Sequence, residues 1–412
     1  MSKNLHVLIV GSSRYMHRAI QNIQGVRTTL LWIAKRITDE DKEKNFRVLG
    51  CSGNLDEWIS CAKAVHLADP FDKIVSFDDE DIVKASIISE VLNVDFFPPN
   101  LVKTISDKYL MRQVLRSKGI DDTASVLVNT VEDIEHFAEK YRYPIIIKPI
   151  SKYGSIGVSK VSSVEEIGPA FTRGLQESNN SQMIVEQYIY GQEYTVECFS
   201  ENGTHQVVAT TMKFNDPITK VEYAHICNAP LSEKQKSELS IFISQVLTAM
   251  GMIPGPSHTE FIISPDNKFR IVESHIRLAG DFCPEMIMST VGVDMIGTAA
   301  LSVLGYPILE STQKIINLHR EKNLWCSVNF RHDNVFGIFQ GVENIEEVEN
   351  MKGIEQVRIL KGKGDFIRPT ECSKDRLTMV RAVSNNMNEA IELARKGSNA
   401  LKINVKLTNG EK

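Results

Sequence analysis

The stretch PSHTEFIISPDNKFRIVESHIRLAG, from Pro256 to Gly280, decides how this chain folds. Two runs rich in β-branched and aromatic residues, HTEFII and KFRIVES, flank Ser264-Pro265-Asp266-Asn267, which predicts two antiparallel strands joined by a tight turn. If Ser264 pairs with Asn267, Glu260 lies opposite Ile271 and Glu273 opposite His258, and period-two alternation puts all four on one face. The two carboxylates are then diagonal neighbours, ~7–8 Å apart at the backbone, close enough to converge on a divalent cation. His275 and Arg277 continue that face if the strand runs on. Such a face is costly unless something charged sits against it. The alternative is an amphipathic hairpin with a wet outer side, which antiparallel sheets commonly have.

Upstream, YPIIIKPISKYGSIGV, Tyr143 to Val158, holds a buried strand whose apolar run ends in Lys148, and a lysine buried there needs a partner. Ser151, Gly154, Ser155 and Gly157 follow at once, letting the backbone turn N–H groups toward a phosphate as anion nests do. No GK[ST] follows, so this is not a Walker A loop. With VSKV as a second strand it predicts a hairpin flap that covers phosphates. Ser163 to Glu166 reads as a capping box opening a helix. The next strand, MIVEQYI, ends in Glu186 before a crossover, where backbone groups of Gln187, Tyr188 and Ile189 are free to bond a base edge. QEYTVECFS then alternates Glu193, Thr195 and Glu197 against Tyr194, Val196 and Cys198, and Asn202-Gly203 turns it into HQVVATTMKF. Residues 215–230 read as a long polar loop carrying His225. Ser232 to Gln235 caps a helix that Gly251 stops.

Before the flap, SDKYLMRQVLRSKG reads as a helix with Ser106 as N-cap, which places Lys108 in the first turn, where the macrodipole disfavours a cation unless an anion is near. The first hundred residues alternate strands and helices, beginning with LHVLIV and a Gly11-Ser12-Ser13 turn, and predict a doubly wound α/β half-domain. After the central hairpin come Asp281 and helical stretches from Pro284 to Leu304 that break near Gly292. The last hundred residues alternate short strands with one or two helices.

At 412 residues the chain is too long for one core, so two or three domains are expected. Hydrophobic residues at 42% and charged residues at 24% suit a globular enzyme, and a net charge of −5 gives no pull toward nucleic acid or anionic membrane. Seven cysteines, scattered and never spaced C-x-x-C, predict reduced thiols and a cytoplasmic protein. No apolar run reaches the ~18–20 residues of a spanning helix.

Taken in order, Lys108, Lys148 before SKYGSIGV, Glu186 in VEQYI, Glu193, Glu260, and Glu273 with Arg277 in ESHIRLAG resemble the ATP-grasp superfamily over roughly residues 108–281. The resemblance implies an α/β (α+β) fold: an N-terminal doubly wound domain over 1–105, a linker helix over 106–120, a small lid over 121–190, and a larger antiparallel-sheet catalytic domain over 191–412 with a terminal α/β subdomain from about 310. It implies ATP and Mg²⁺, with Mn²⁺ as a substitute. Lys108 and Lys148 would contact phosphates, the Gly154–Gly157 loop would close over them with Ser151 also among the nucleotide-binding residues, Glu186 to Ile189 would hold adenine, and Glu193 the ribose. Glu260 and Glu273 would bind Mg²⁺, and Arg277 would stabilise the oxyanion. Many members carry Glu-x-Asn-x-Arg, and His275 stands here where the asparagine would help hold a second metal.

Within the superfamily, PSHTEF, RLAGDFCPE and His225 are similar to the bacterial L-amino-acid ligases, which join two unprotected amino acids through an aminoacyl phosphate. The resemblance extends to members that accept arginine, for which Asp375 or Glu285 would be the acid facing the guanidinium, or Asp281 and Glu285 would take the α-amino group. A homodimer acting on small molecules, without nucleic acid or membrane, is the expectation. The alternatives are a biotin-carboxylase-like or purine-pathway ligase, and a non-catalytic ATP-binding module.

Overall fold

A computed structural model describes residues 4–11, 13–178, 182–217 and 219–408; Ser12 of the first turn and the terminal residues fall outside them. The chain opens on β1 (Leu5–Val10), β2 (Val26–Ile33), β3 (Arg47–Cys51) and β4 (Lys73–Val75), a parallel sheet in the order β3-β2-β1-β4. All six residues of β1 are buried, as a parallel strand covered on both faces requires. The loop after β4 carries Asp78, Asp79 and Glu80, at the carboxyl edge where open α/β sheets bind ligands.

Two helices, Pro99–Ser106 and Lys108–Ser117, lead out of this unit. The N-cap of the second is Asp107, which accepts from the N–H groups of Tyr109 and Leu110, and not Ser106, which ends the preceding helix. An aspartate between two helices satisfies the orphan donors of the second while breaking the first. Lys108 is therefore the first helical residue.

A second sheet contains β5 (Ser125–Val128), β6 (Ile145–Pro149), β7 (Ser159–Val161) and β8 (Met183–Gln187), antiparallel in the order β5-β8-β6-β7. The expected flap is the connection between β6 and β7. The Ser163 capping box does not form: Ser163 makes no side-chain cap bond, and Glu166 accepts instead from Ser162 N–H at 2.7 Å.

The remaining strands are β9 (Gln192–Glu201), β10 (Thr204–Asn215), β11 (Glu222–Cys227), β12 (Gly255–Ile263), β13 (Phe269–His275), β14 (Trp325–Arg331), β15 (Gly337–Glu343), β16 (Ile354–Ile359), β17 (Phe366–Ile367), β18 (Thr378–Ser384) and β19 (Lys402–Leu407). Eight form one antiparallel sheet, β13-β12-β9-β10-β11-β14-β18-β16, and β17-β15-β19 form a small separate one. The segment beyond residue 310 thus divides, with β14, β16 and β18 extending the central sheet. Residues 215–230, expected as a loop, contain β11, because Ala224 to Cys227 pair with both β10 and β14, and Glu222 pairs with β10. A helix at Leu309–Arg320, not expected from sequence, buries Thr312 and packs the partly buried Leu309, Ile315 and Ile316 against the core.

One face of the central sheet packs on the helix Glu233–Met250 through Leu239, Ile243, Val246 and Leu247, together with Phe261 and Ile271. The opposite face carries the charged residues described next. No single helix among the described residues is long and apolar enough to cross a membrane.

Candidate active site

The hairpin of β12 and β13 forms, in a register different from the one expected. His258 lies opposite His275, Thr259 opposite Ser274 and Glu260 directly opposite Glu273; the pairing then shifts, and Phe261 lies opposite Ile271. Two features cause this. The loop is three residues long, closed by Ser264 N–H to Lys268 O (3.0 Å) and Asn267 N–H to Ser264 O (2.8 Å), with Asn267 at φ 57°. Val272 is then an extra residue, a β-bulge on an edge strand. In a flat strand Ile271 and Glu273 would share a face. The bulge lets Phe261 and Ile271, both fully buried, enter the core while Glu260 and Glu273 enter a cavity on the other side.

That cavity, of about 780 Å³, lies between the lid sheet, the central sheet and the loop after β4. In its wall the acids alternate with cations. Lys108 Nζ meets Glu273 Oε2 at 2.8 Å. Lys148 Nζ meets Glu186 Oε2 at 2.6 Å, and Arg112, 1% exposed, takes the other Glu186 oxygen at 2.7 Å while reaching Asp121 at 3.3 Å. The side chain of Glu186 is thus occupied by two cations; burial would push its pKa up, but Arg112 and Lys148 hold it at about 2. The partner that the buried Lys148 requires is Glu186.

Lys213, on β10, has no counterpart in the expected site. Its ammonium lies 2.7 Å from Glu193, 2.9 Å from Glu222 and 3.0 Å from Glu260, and it is 3% exposed. Burial disfavours its charge, yet the three carboxylates raise its pKa well above the usual lysine value. His258 donates toward Glu197 at 2.5 Å and faces Glu260 at 3.5 Å; burial lowers its pKa, but these acids lift it to about 9. Burial likewise opposes the charge on Glu273, which Lys108 and His275 nonetheless hold well below the ordinary carboxylate range.

His275 is bonded at both ring nitrogens, Nε2 to Glu273 and Nδ1 to Asp79, each at 3.2 Å. Arg277 lies beyond the end of β13 and is gripped by Asp79 through Nε at 2.6 Å. Asp79 therefore carries the first α/β unit into the site, a role that an acid in an Asp-Asp-Glu turn does not announce in sequence.

His225 is buried on β11 directly opposite Lys213, and neither ring nitrogen has a hydrogen-bond partner among the described residues. Burial pulls its pKa down to about 4, so the ring is neutral. Asp281 stands 3.7 Å from its Nε2 and pairs with Arg376 at 2.8 Å, and Arg376 reaches Glu222 at 2.8 Å and stacks on Phe330. A hollow beside the main cavity is lined by Tyr15, Phe282, Glu285, Phe330, Leu360 and Arg376.

Gly154 (φ 66°) and Ser155 (φ 60°) line the cavity, and the flap is tied down by Tyr153 to Glu80 (3.1 Å) and Ser155 Oγ to Lys220 O (3.3 Å). Ser151 and Gly157 do not line it: Ser151 is exposed at the outer start of the flap, and Gly157 is packed against Pro149 and Glu177. Tyr188, Ile189 and Glu193 are in the wall, but the Gln187 N–H, expected free, donates to Ala124 O at 2.9 Å. Asp375 also stands outside the wall, its carboxylate taken by Arg368 and by the N–H groups of Glu371 and Cys372.

Two apposed, ionised glutamates with lysines beside them fit a divalent cation and the phosphates of a nucleotide. A model of the ATP-grasp domain matches residues 141–285, which hold the flap, the crossover after Glu186, Lys213 and the glutamate hairpin. The chain carries an ATP-grasp domain. A second model, L-amino acid ligase C-terminal domain 2, matches residues 335–406. Among curated relatives, this chain is 24% identical over 338 residues to the L-arginine-specific L-amino acid ligase of Bacillus subtilis, covering 79% of this chain and 78% of that one. It is also 24% identical over 214 residues to the carbamoyl phosphate synthase large chain of Thermotoga sp. (strain RQ2), covering 51% of this chain but only 19% of that larger protein. The fold matches the crystal structure of L-amino acid ligase from Bacillus licheniformis, with a TM-score of 0.84 at 17% identity over 98% of this chain and 100% of that one. The ATP-grasp fold expected from the sequence is therefore present.

Proposed function

We propose that this ATP-grasp protein is an ADP-forming ligase that joins two unprotected L-amino acids into a dipeptide. The observation that carries the reading is the convergence in one cavity of apposed Glu260 and Glu273, Lys108 from the linker helix, Lys148 from the lid, Arg277, and a neutral His225 without a hydrogen-bond partner among the described residues. Lys108 and Lys148 bind the phosphates of ATP, the backbone at Tyr188 and Ile189 takes the adenine edge, and Glu193 takes the ribose. Glu260 and Glu273 would hold Mg²⁺, with Mn²⁺ as a substitute, and the ion would supply positive charge to offset that of the phosphates.

The carboxylate of the first amino acid attacks the γ-phosphorus, and the bond to ADP breaks. The amine of the second amino acid then attacks the acyl carbon, and phosphate leaves. Arg277, fixed by Asp79, offsets the charge on the acyl oxygens in both steps. Burial opposes a proton on His225, but Asp281, 3.7 Å from its Nε2, favours one; His225 takes the ammonium proton as the nucleophile forms, and Asp281 orients that ammonium.

Arginine as the N-terminal substrate is the finer part of this reading. It is supported by the name of the Bacillus subtilis relative and by Glu285, which lines the side hollow among Phe282, Phe330 and Leu360, where a guanidinium would lie along apolar walls with an acid at its tip. Asp375, occupied by Arg368, is the weaker candidate. A second reading is a biotin-carboxylase-like or purine-pathway ligase with a different acceptor, and bicarbonate dependence of phosphate release separates the two. A cytoplasmic homodimer completes the proposal, checked by light scattering on the purified chain. The decisive test is incubation with ATP, Mg²⁺ and pairs of the common amino acids: no phosphate release with any pair sinks the ligase reading.

A further inference from the structure

The cation that organises the acid cluster belongs to the protein. Lys213 Nζ lies within 3.0 Å of carboxylate oxygens from β9, β11 and β12: Glu193, Glu222 and Glu260. Three acids from three strands converge on one point, as they would around a metal ion, and an ammonium stands at that point. It takes Oε2 of Glu260, while His258 faces Oε1. On the neighbouring strand, the residue at the position of the usual second-metal asparagine, His275, has both ring nitrogens turned to the carboxylates of Asp79 and Glu273, so it presents no amide oxygen to a second ion. Among the described residues no group of three or more His, Cys, Asp or Glu side chains stands open for a metal.

We propose that this chain binds a single divalent cation with its nucleotide, between Glu260 and Glu273, and that the Lys213 ammonium supplies the second positive charge. Lys213 is then a positioning residue: one cation sets the rotamers of the ribose-side acid Glu193, of Glu222, which Arg376 also holds, and of the metal-side acid Glu260. A lysine in this place needs no free metal to preorganise three acids. It also disfavours a second ion by simple repulsion, because unit charges a few ångströms apart in a partly dry site interact strongly.

The inference rests on the reading of Glu260 and Glu273 as metal ligands, but not on which substrates are joined. Its test is a count of bound Mn²⁺ per full-length chain at saturating ADP, by electron paramagnetic resonance of the free ion. The expected result is one for the wild type and one for His275→Asn, since that variant keeps Lys213. Lys213→Met, which leaves Glu193, Glu222 and Glu260 without their cation, is expected to bind two, the second at least about tenfold tighter than any further ion on the wild type. Two ions on the wild type overturn the proposal, as do two on His275→Asn or one on folded Lys213→Met. If Lys213→Met does not fold, the other two counts decide. No Mn²⁺ on the wild type overturns the metal reading of the two glutamates as well, whereas one Mn²⁺ without phosphate release in any amino-acid pair leaves this proposal standing and removes the ligase.

Discussion

The Asp79 carboxylate grips the Arg277 guanidinium, with Nε to Oδ2 at 2.6 Å, and offers its other oxygen to His275 Nδ1 at 3.2 Å. One loop acid from the first α/β unit thereby fixes two residues at the end of the central hairpin. Asp79→Asn keeps the shape and removes the charge. It is expected to lower kcat by about 10- to 100-fold through misplacement of Arg277, with nucleotide affinity changed by less than about twofold. Arg277→Lys loses the planar fork altogether and is expected to lower phosphate release by about 100-fold or more while ADP still binds. Steady-state kinetics with calorimetric ADP titration check both; weakened ADP binding in either variant contradicts the assignment.

Glu186 carries two buried cations, Arg112 and Lys148. Glu186→Gln leaves them without their full counter-charge, and a broken buried pair of this kind costs about 3–5 kcal/mol. Urea unfolding is expected to show a loss of that size. A loss below about 1 kcal/mol would mean that the network is solvated, contrary to its burial.

How much of this was legible in the sequence follows from which interactions are local. The glutamate face of the hairpin could be read because side chains alternate with period two, and the order Lys108, Lys148, Glu186, Glu193, Glu260, Glu273 and Arg277 carried the fold. The bulge at Val272 could not, since it depends on packing: Ile271 must enter the core beside Phe261, and its N–H on the strand edge is taken by Asp121 at 2.7 Å, some 150 positions away. Lys213 was hidden because a lone lysine in TTMKFN looks like the wet side of a strand, and its partners come from three other places in the chain. Proline, asparagine and aspartate in NDPITK disguised β11 as loop, so His225 lost the burial that makes it unusual.

His258 carries a pH signature. Its folded pKa of about 9 lies above the ordinary 6.5, so its pairing with Glu197 and Glu260 adds stability that is fully present below pH 6.5 and is lost as pH rises through 9. The full effect is on the order of 3 kcal/mol. Urea unfolding at intervals from pH 6 to 10 is expected to show this decline in the wild type and a flatter curve in His258→Asn. Parallel curves would assign the pH dependence to other groups.

Gly191 joins the proposed adenine-binding segment, Tyr188 and Ile189, to β9 at φ 143°, where a Cβ would stand 2.1 Å from Ile263 O. Gly191→Ala forces this segment off the central sheet. The expected outcome is a loss of about 1–3 kcal/mol in stability and weaker ADP binding, read by urea unfolding and calorimetry. Unchanged ADP affinity would separate the segment from the nucleotide.

The central claim is that Glu260, Glu273, Arg277 and His225 form one surface on which ATP activates a carboxylate and an amine captures it. The most direct measurement is product analysis by mass spectrometry after incubation with ATP, Mg²⁺ and arginine paired with each common amino acid, and with all other pairs. The account predicts a dipeptide, ADP and phosphate in equal amounts from at least one pair, and none from the Arg277→Lys variant. ADP and phosphate without dipeptide from every pair, or dipeptide formed with AMP and pyrophosphate, would contradict it.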